Sequence, residues 1–162
     1  MEEINRIEDQ LRRAFEGGAW HGPALREVLA DVTAERAAAR SMVGAHNIWE
    51  IVLHVTAWHG AVQRRLEGEP AQLPVEGDWP RVTETSEARW SETLLALEQS
   101  YQSLRRTIAG LTDAQLNDYI YGTLGTEPDP PTGAGVSVYL TLHGVVQHDL
   151  YHAGQIAILK KA

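Results

Sequence analysis

The residues with the most to say about chemistry are histidines. His148 and His152 stand four apart in Gln147-His148-Asp149-Leu150-Tyr151-His152-Ala153-Gly154-Gln155. On a helix, positions i and i+4 are neighbours, with Cβ atoms roughly 5–6 Å apart. Two neutral imidazoles so placed can meet one metal ion at about 2.0–2.1 Å each, and imidazole suits zinc, nickel, copper and iron. A third ligand has to come from another helix. His54 is the candidate, because it sits on the apolar stripe of Ile51, Trp58 and Val62. A histidine aimed inward is costly unless its nitrogens are paired. The residues alone therefore leave two readings of His54 open, a metal ligand or a core histidine bonded to a carbonyl or a tyrosine.

The rest of the chemical inventory is thin. The chain has no cysteine, which excludes disulfides, thiolate zinc sites, iron–sulfur clusters and a cysteine nucleophile. His59 and His143 each lie five residues from a ligand candidate, about 140° away around a helix, and His46 and His21 fall outside regular helix. All four read as solvated or hydrogen-bonded structural histidines. There is no His-Glu-x-x-His, no Glu-x-x-His pair for a di-iron site and no Gly-x-Ser-x-Gly. Gly133-Ala134-Gly135 begins like a dinucleotide fingerprint, but no strand precedes it and Val138 stands where the third glycine belongs. Glu50 reads as a capping residue, and the five tryptophans as core or loop anchors, with Trp58 and Trp90 in the core. Gln155 shares the face of His148 and His152 and can orient an imidazole. Asp149 either reaches the site or faces solvent, and Tyr151 and Trp58 are candidate pocket walls.

The elements that must hold these residues are helices. Ile4, Ile7, Leu11 and Phe15 mark a helix over 2–16, stopped by Gly17-Gly18. Short helices are expected over 23–30 and from a Thr33 cap through Ala39. Asn47 with Glu50 three residues on forms a capping box for a helix to about Glu67. Thr83 is placed to cap a helix running to about Ala109, followed by a short turn at Thr112–Gln115. The last helix spans 136–161, with Lys160 and Lys161 at the end where the helix dipole favours cations. Proline-rich stretches at 68–82 and 117–135 read as long loops, a kind often functional. No convincing strand is expected. These elements predict an all-α domain over 1–162, an antiparallel four-helix bundle with short extra helices and two long loops.

Against 14 Lys+Arg stand 22 Asp+Glu in 162 residues, a formal net charge of −8. Such a chain is repelled by phosphate backbones, so neither nucleic acid nor an anionic membrane is expected as a partner. The acidic start Met1-Glu2-Glu3 is unlike a signal peptide, and no apolar run approaches a membrane span. A soluble, cytoplasmic protein is the expectation.

Two segments carry a family resemblance. Asn47-Ile48-Trp49-Glu50-Ile51-Val52-Leu53-His54-Val55-Thr56-Ala57-Trp58 and His148-Asp149-Leu150-Tyr151-His152-Ala153-Gly154-Gln155-Ile156 resemble the DinB/YfiT-like superfamily of metal-binding helical proteins. This is not the DNA polymerase that shares the DinB name. The likeness extends to the Trp20-His21-Gly22-Pro23 entry and the Leu66-Glu67-Gly68 helix exit. It implies a four-helix bundle holding one divalent ion, often nickel or zinc, on three histidines at the positions of His54, His148 and His152. It also implies a small-molecule substrate and often a homodimer. Characterised relatives include transferases and isomerases that use low-molecular-weight thiols such as bacillithiol or mycothiol. In a chain without cysteine, such a thiol would have to arrive with the substrate.

Three-histidine sites with an open position are catalytic in type. A bound ion can generate hydroxide, as in a hydrolase, or activate an external thiol, as in a transferase. The transferase is the reading the resemblance favours. The alternatives are a hydrolase, a non-catalytic metal- or ligand-binding bundle, and a plain helical interaction module.

Overall fold

The computed structural model describes residues 2–124, 127–128 and 135–162. Four long helices form the frame: α1 (Glu3–Phe15), α4 (Ile48–Leu66), α5 (Glu87–Ala109) and α6 (Val138–Leu159). Two short helices, α2 (Leu25–Leu29) and α3 (Ala34–Ala38), lie between α1 and α4. Contacts run α1 to α5, α5 to α4, α4 to α6 and α6 back to α1, which closes a four-helix ring. Helix α2 packs on α6, and α3 on α4 and α5. The expected bundle is the observed one.

Each long helix buries one stripe, as the 3–4 spacing requires. From α1 come Ile4, Ile7, Leu11 and Phe15, and from α5 Trp90, Leu97, Tyr101, Leu104 and Ile108. Phe15 stacks on Tyr101 with ring centroids 3.7 Å apart, and the Tyr101 hydroxyl donates to Glu16 Oε1 at 2.9 Å. Helix α4 starts at the capping box: Glu50 N–H donates to Asn47 Oδ1 at 2.8 Å and Asn47 N–H to Glu50 Oε2 at 3.0 Å. Glu50 is thus the capping residue the spacing implied, and it also receives Arg40 at 2.6 Å.

Two boundaries and the strand content differ from the sequence reading. Helix α5 is capped by Ser86, whose Oγ accepts from Arg89 N–H, rather than by Thr83. The Glu87 carboxylate is held there by the Ala34 N–H at 2.9 Å, which ties the start of α5 to α3. The last helix begins at Val138, because residues 136–137 are extended and pair with 119–120.

The third difference is the presence of strands where none was expected. Four two-residue strands flank the segment before α6: β1 (Tyr119–Ile120), β2 (Thr123–Leu124), β3 (Glu127–Pro128) and β4 (Val136–Ser137). They pair antiparallel as β1 with β4 and β2 with β3. Two residues are too few for period-2 patterning to show in a sequence. Of the expected 117–135 loop, residues 125–126 and 129–134, including part of Gly133-Ala134-Gly135, lie outside the described residues.

The first loop is anchored as well. Ala71 bridges to Gly122 in parallel fashion and donates its N–H to Tyr121 O at 2.9 Å. A Cβ on Gly122 would stand 2.2 Å from the Ala71 carbonyl oxygen, so the two backbones meet only because that residue is glycine.

Candidate metal centre

Helix α4 supplies His54 and α6 supplies His148 and His152, and the three rings converge. His54 Nε2 lies 2.9 Å from His148 Nε2, and His152 Nε2 lies 3.2 Å from the same atom. One ligand atom from each ring fits within a 4.8 Å cluster. A tetrahedral ion at 2.0–2.1 Å from each nitrogen sets nitrogens about 3.3–3.4 Å apart. The His148–His152 separation is close to that edge length, and the His54–His148 separation is shorter.

The opposite ring nitrogens explain why the three Nε2 atoms turn together. His54 Nδ1 is 2.6 Å from the Asp78 backbone oxygen. A carbonyl only accepts, so Nδ1 carries the proton and Nε2 keeps its lone pair. His152 Nδ1 is 2.7 Å from Gln155 Oε1, which fixes the same tautomer. His148 Nε2 stands 2.9–3.2 Å from both lone pairs: with its proton there it donates to them, and with its proton on Nδ1 it joins them as a third lone pair that one cation can share. The donor set therefore fits a metal ion.

The electrostatics agree. Burial pushes the imidazolium form of all three rings down. For His148 burial leads, His152 and His54 add to it, and the pKa falls to about 3. His54 is lowered chiefly by burial, against the Asp78 carbonyl, which raises it. His152 is likewise lowered by burial and partly restored by Gln155. Neutral rings at neutral pH are the form that binds metal.

The 68–82 loop supplies the rest of the wall. Asp78 serves twice: its carbonyl holds His54, and its carboxylate accepts the Trp58 indole N–H at 2.8 Å. Trp79 stacks on His54 at 3.9 Å between centroids, and His46 stacks on the other side of Trp79 at 3.6 Å. Neither Asp78 nor Trp79 stood out in the sequence. A tryptophan after an acid in a proline-rich loop was the available signal, since an aromatic there needs a surface to cover.

The other sequence candidates separate cleanly. Asp149 does not face solvent: it is 0% exposed, and its Oδ1 lies 2.9 Å from His59 Nε2. It bears on the cluster only as one of the charges that raise His152. His59, 1% exposed, also reaches Ser100 Oγ at 3.3 Å, so this buried pair joins α4, α5 and α6. Trp90 is core, with its indole on Val32 O. Trp58 is only half-buried and lines a cavity beside His148, so it is the pocket wall of the two roles expected for it and not a core residue. Tyr151 is exposed at the mouth of a second cavity, beside His152. His143 packs on Tyr139 at 4.4 Å, and His21 is exposed beside Trp20.

A helical ring with three histidines that could hold a metal ion, drawn from the second and fourth long helices of the chain, which are neighbours in space, defines the class of bundle. The model of the DinB superfamily matches residues 8–156, and the chain belongs to that superfamily. No curated protein and no solved structure gave a match. No described helix is long and apolar enough to cross a membrane.

Proposed function

We propose that His54, His148 and His152 hold one divalent ion, zinc or nickel, and that the protein is a metal-dependent transferase. It would join a low-molecular-weight thiol to an electrophilic small molecule. The observation that carries the metal is the convergence of three Nε2 atoms whose partner Nδ1 atoms are, in two cases, committed to carbonyl oxygens.

When bound, the ion supplies Lewis-acid activation of a thiol or a water at its open position. The chain's own residues do the positioning. The Asp78 carbonyl and Gln155 Oε1 hold two protons on Nδ1 atoms. Trp79 covers one face of His54 and limits water there. In the net reaction a sulfur–carbon bond forms, the electrophile's leaving group departs with its electron pair, and the thiol proton passes to solvent.

Two cavities favour a reaction of two organic partners over hydrolysis. One, of about 270 Å³, reaches His148; the other, of about 400 Å³, reaches His152. A hydrolase needs room for one organic reactant and water. The deciding assay uses zinc- or nickel-loaded protein with a panel of thiols and electrophiles. Turnover that requires both thiol and metal supports the transferase. Turnover with water alone supports the hydrolase, and stoichiometric metal without any turnover supports a binding protein.

A further inference from the structure

The cavity of about 400 Å³ beside His152 has a wall without formal charge. No Lys, Arg, Asp or Glu lines it, in a chain where those four types make up 22% of residues. Ile51 and Leu159 are its buried lining, and Met42, Tyr151 and Ile158 its exposed lining. An ionised ligand would give up hydration here with no counter-charge on the wall to replace it. The cavity therefore selects uncharged molecules.

Trp79 adds a demand for shape. His54 covers one face of its indole and His46 the other, at 3.9 and 3.6 Å between centroids. Only the ring edge is left for the cavity it lines. An aromatic edge is the positive part of the ring quadrupole and takes the negative face of another ring. Gln155 adds one polar demand. Its Oε1 accepts from His152 Nδ1, and its amide nitrogen has no hydrogen-bond partner among the described residues. That leaves N–H donors on a half-buried side chain of this wall, and a carbonyl oxygen of the ligand satisfies them. The other polar groups there, the Tyr151 hydroxyl and His46, belong to exposed residues that water can serve.

We infer that this cavity binds uncharged aromatic carbonyl compounds, with the ring against the edge of Trp79 and the carbonyl oxygen accepting from the Gln155 amide. Such a compound is the electrophile of the reaction proposed above. Its role as electrophile rests on the metal reading; the neutral cavity does not. A volume of about 400 Å³ falls within the roughly 300–1,000 Å³ of small-molecule pockets, at the end that suits one or two fused rings. Met42 supplies a thioether that adapts to a flat ring.

The chain has two methionines, so protein carrying methyl-labelled methionine gives two NMR methyl signals, and Met42 reports on this cavity. The test titrates 2-acetylnaphthalene, 2-ethylnaphthalene and 2-naphthoate into zinc-loaded and chelator-treated protein, with metal content measured. The Met42 signal shifts saturably with the ketone. A neutral hydrogen bond is worth about twofold to tenfold, so the ketone binds tighter than the hydrocarbon by at least that lower factor. In chelator-treated protein, where no ion can hold a carboxylate, 2-naphthoate binds at least threefold weaker than the ketone. Q155E keeps the acceptor for His152 and removes the donor, so the ketone-to-hydrocarbon affinity ratio falls to one or below. I158W narrows the cavity from an exposed position and weakens both ligands while the melting temperature holds. The inference is overturned if the ketone gives no saturable Met42 shift in folded protein, if the parent ratio is below two, if Q155E leaves it above one, or if 2-naphthoate comes within threefold of the ketone. Zinc bound in stoichiometric amount with no Met42 response overturns the cavity assignment and leaves the metal reading intact. A Gln155-dependent ratio in protein that takes up no zinc supports the cavity and overturns the metal reading.

Discussion

Replacing Gln155 by alanine should weaken metal binding without touching a ligand. Gln155 Oε1 accepts from His152 Nδ1 at 2.7 Å, and His152 is buried, so water does not readily replace the amide. In metal-free protein His152 can shift its proton to Nε2 and escape the loss. Metal on Nε2 forces the proton onto Nδ1, where it would be a buried donor without an acceptor. That penalty is about 1–3 kcal/mol, and it falls on the bound state. Loss of a comparable outer partner typically costs 10–100-fold in affinity, or about 1.4–2.7 kcal/mol, so the two routes agree. The assay is competition for zinc against a chromogenic chelator at pH 7.5. Q155A should weaken zinc by 10–100-fold, whereas Q155E keeps an acceptor, makes the bond charge-assisted and binds at least as tightly as the parent. A Q155A affinity within twofold of the parent, or a Q155E as weak as Q155A, would refute the tautomer argument.

Further outcomes follow from the same geometry. D149A leaves His59 buried without its Nε2 partner and should cost about 1–3 kcal/mol in urea unfolding, with zinc stoichiometry unchanged. W79A uncovers His54, whose pKa is lowered chiefly by burial, so its NMR titration midpoint should rise toward that of a free histidine. In metal-free protein the three histidines have pKa values below those of the unfolded chain. The unfolded state therefore takes up protons first: their contribution is complete above about pH 6.5 and is lost progressively as pH falls toward 3 for His148. The loss for that ring approaches about 1.4 kcal/mol per pH unit, so H148Q should flatten the acid limb of the stability profile measured by denaturant titration.

What the sequence disclosed depended on the range of each contact. His148 and His152 share a helix, so i,i+4 spacing showed that they meet. Asn47 and Glu50 form a local box, and it is present. His54 needed an apolar stripe to suggest that it faced inward. Asp78 and Trp79 were not legible as site residues, because a loop's path over a bundle depends on tertiary anchors such as the Ala71–Gly122 bridge. The His59–Asp149 pair joins residues 90 apart. It did leave a trace: Asp149 lies on the buried stripe of Leu142, Val145, His152 and Ile156, where an acid needs a partner. Ser86, not Thr83, caps α5, and the bond from Ala34 that holds Glu87 beside that cap is a contact no local pattern encodes.

The central claim is that three imidazoles of one chain share an ion. X-ray absorption at the metal edge of zinc- or nickel-loaded protein tests it most directly. The account predicts one ion per chain with three imidazole nitrogens at about 2.0–2.1 Å, and loss of that scattering shell in H148A. Sub-stoichiometric metal, or an H148A spectrum identical to the parent's, would contradict it.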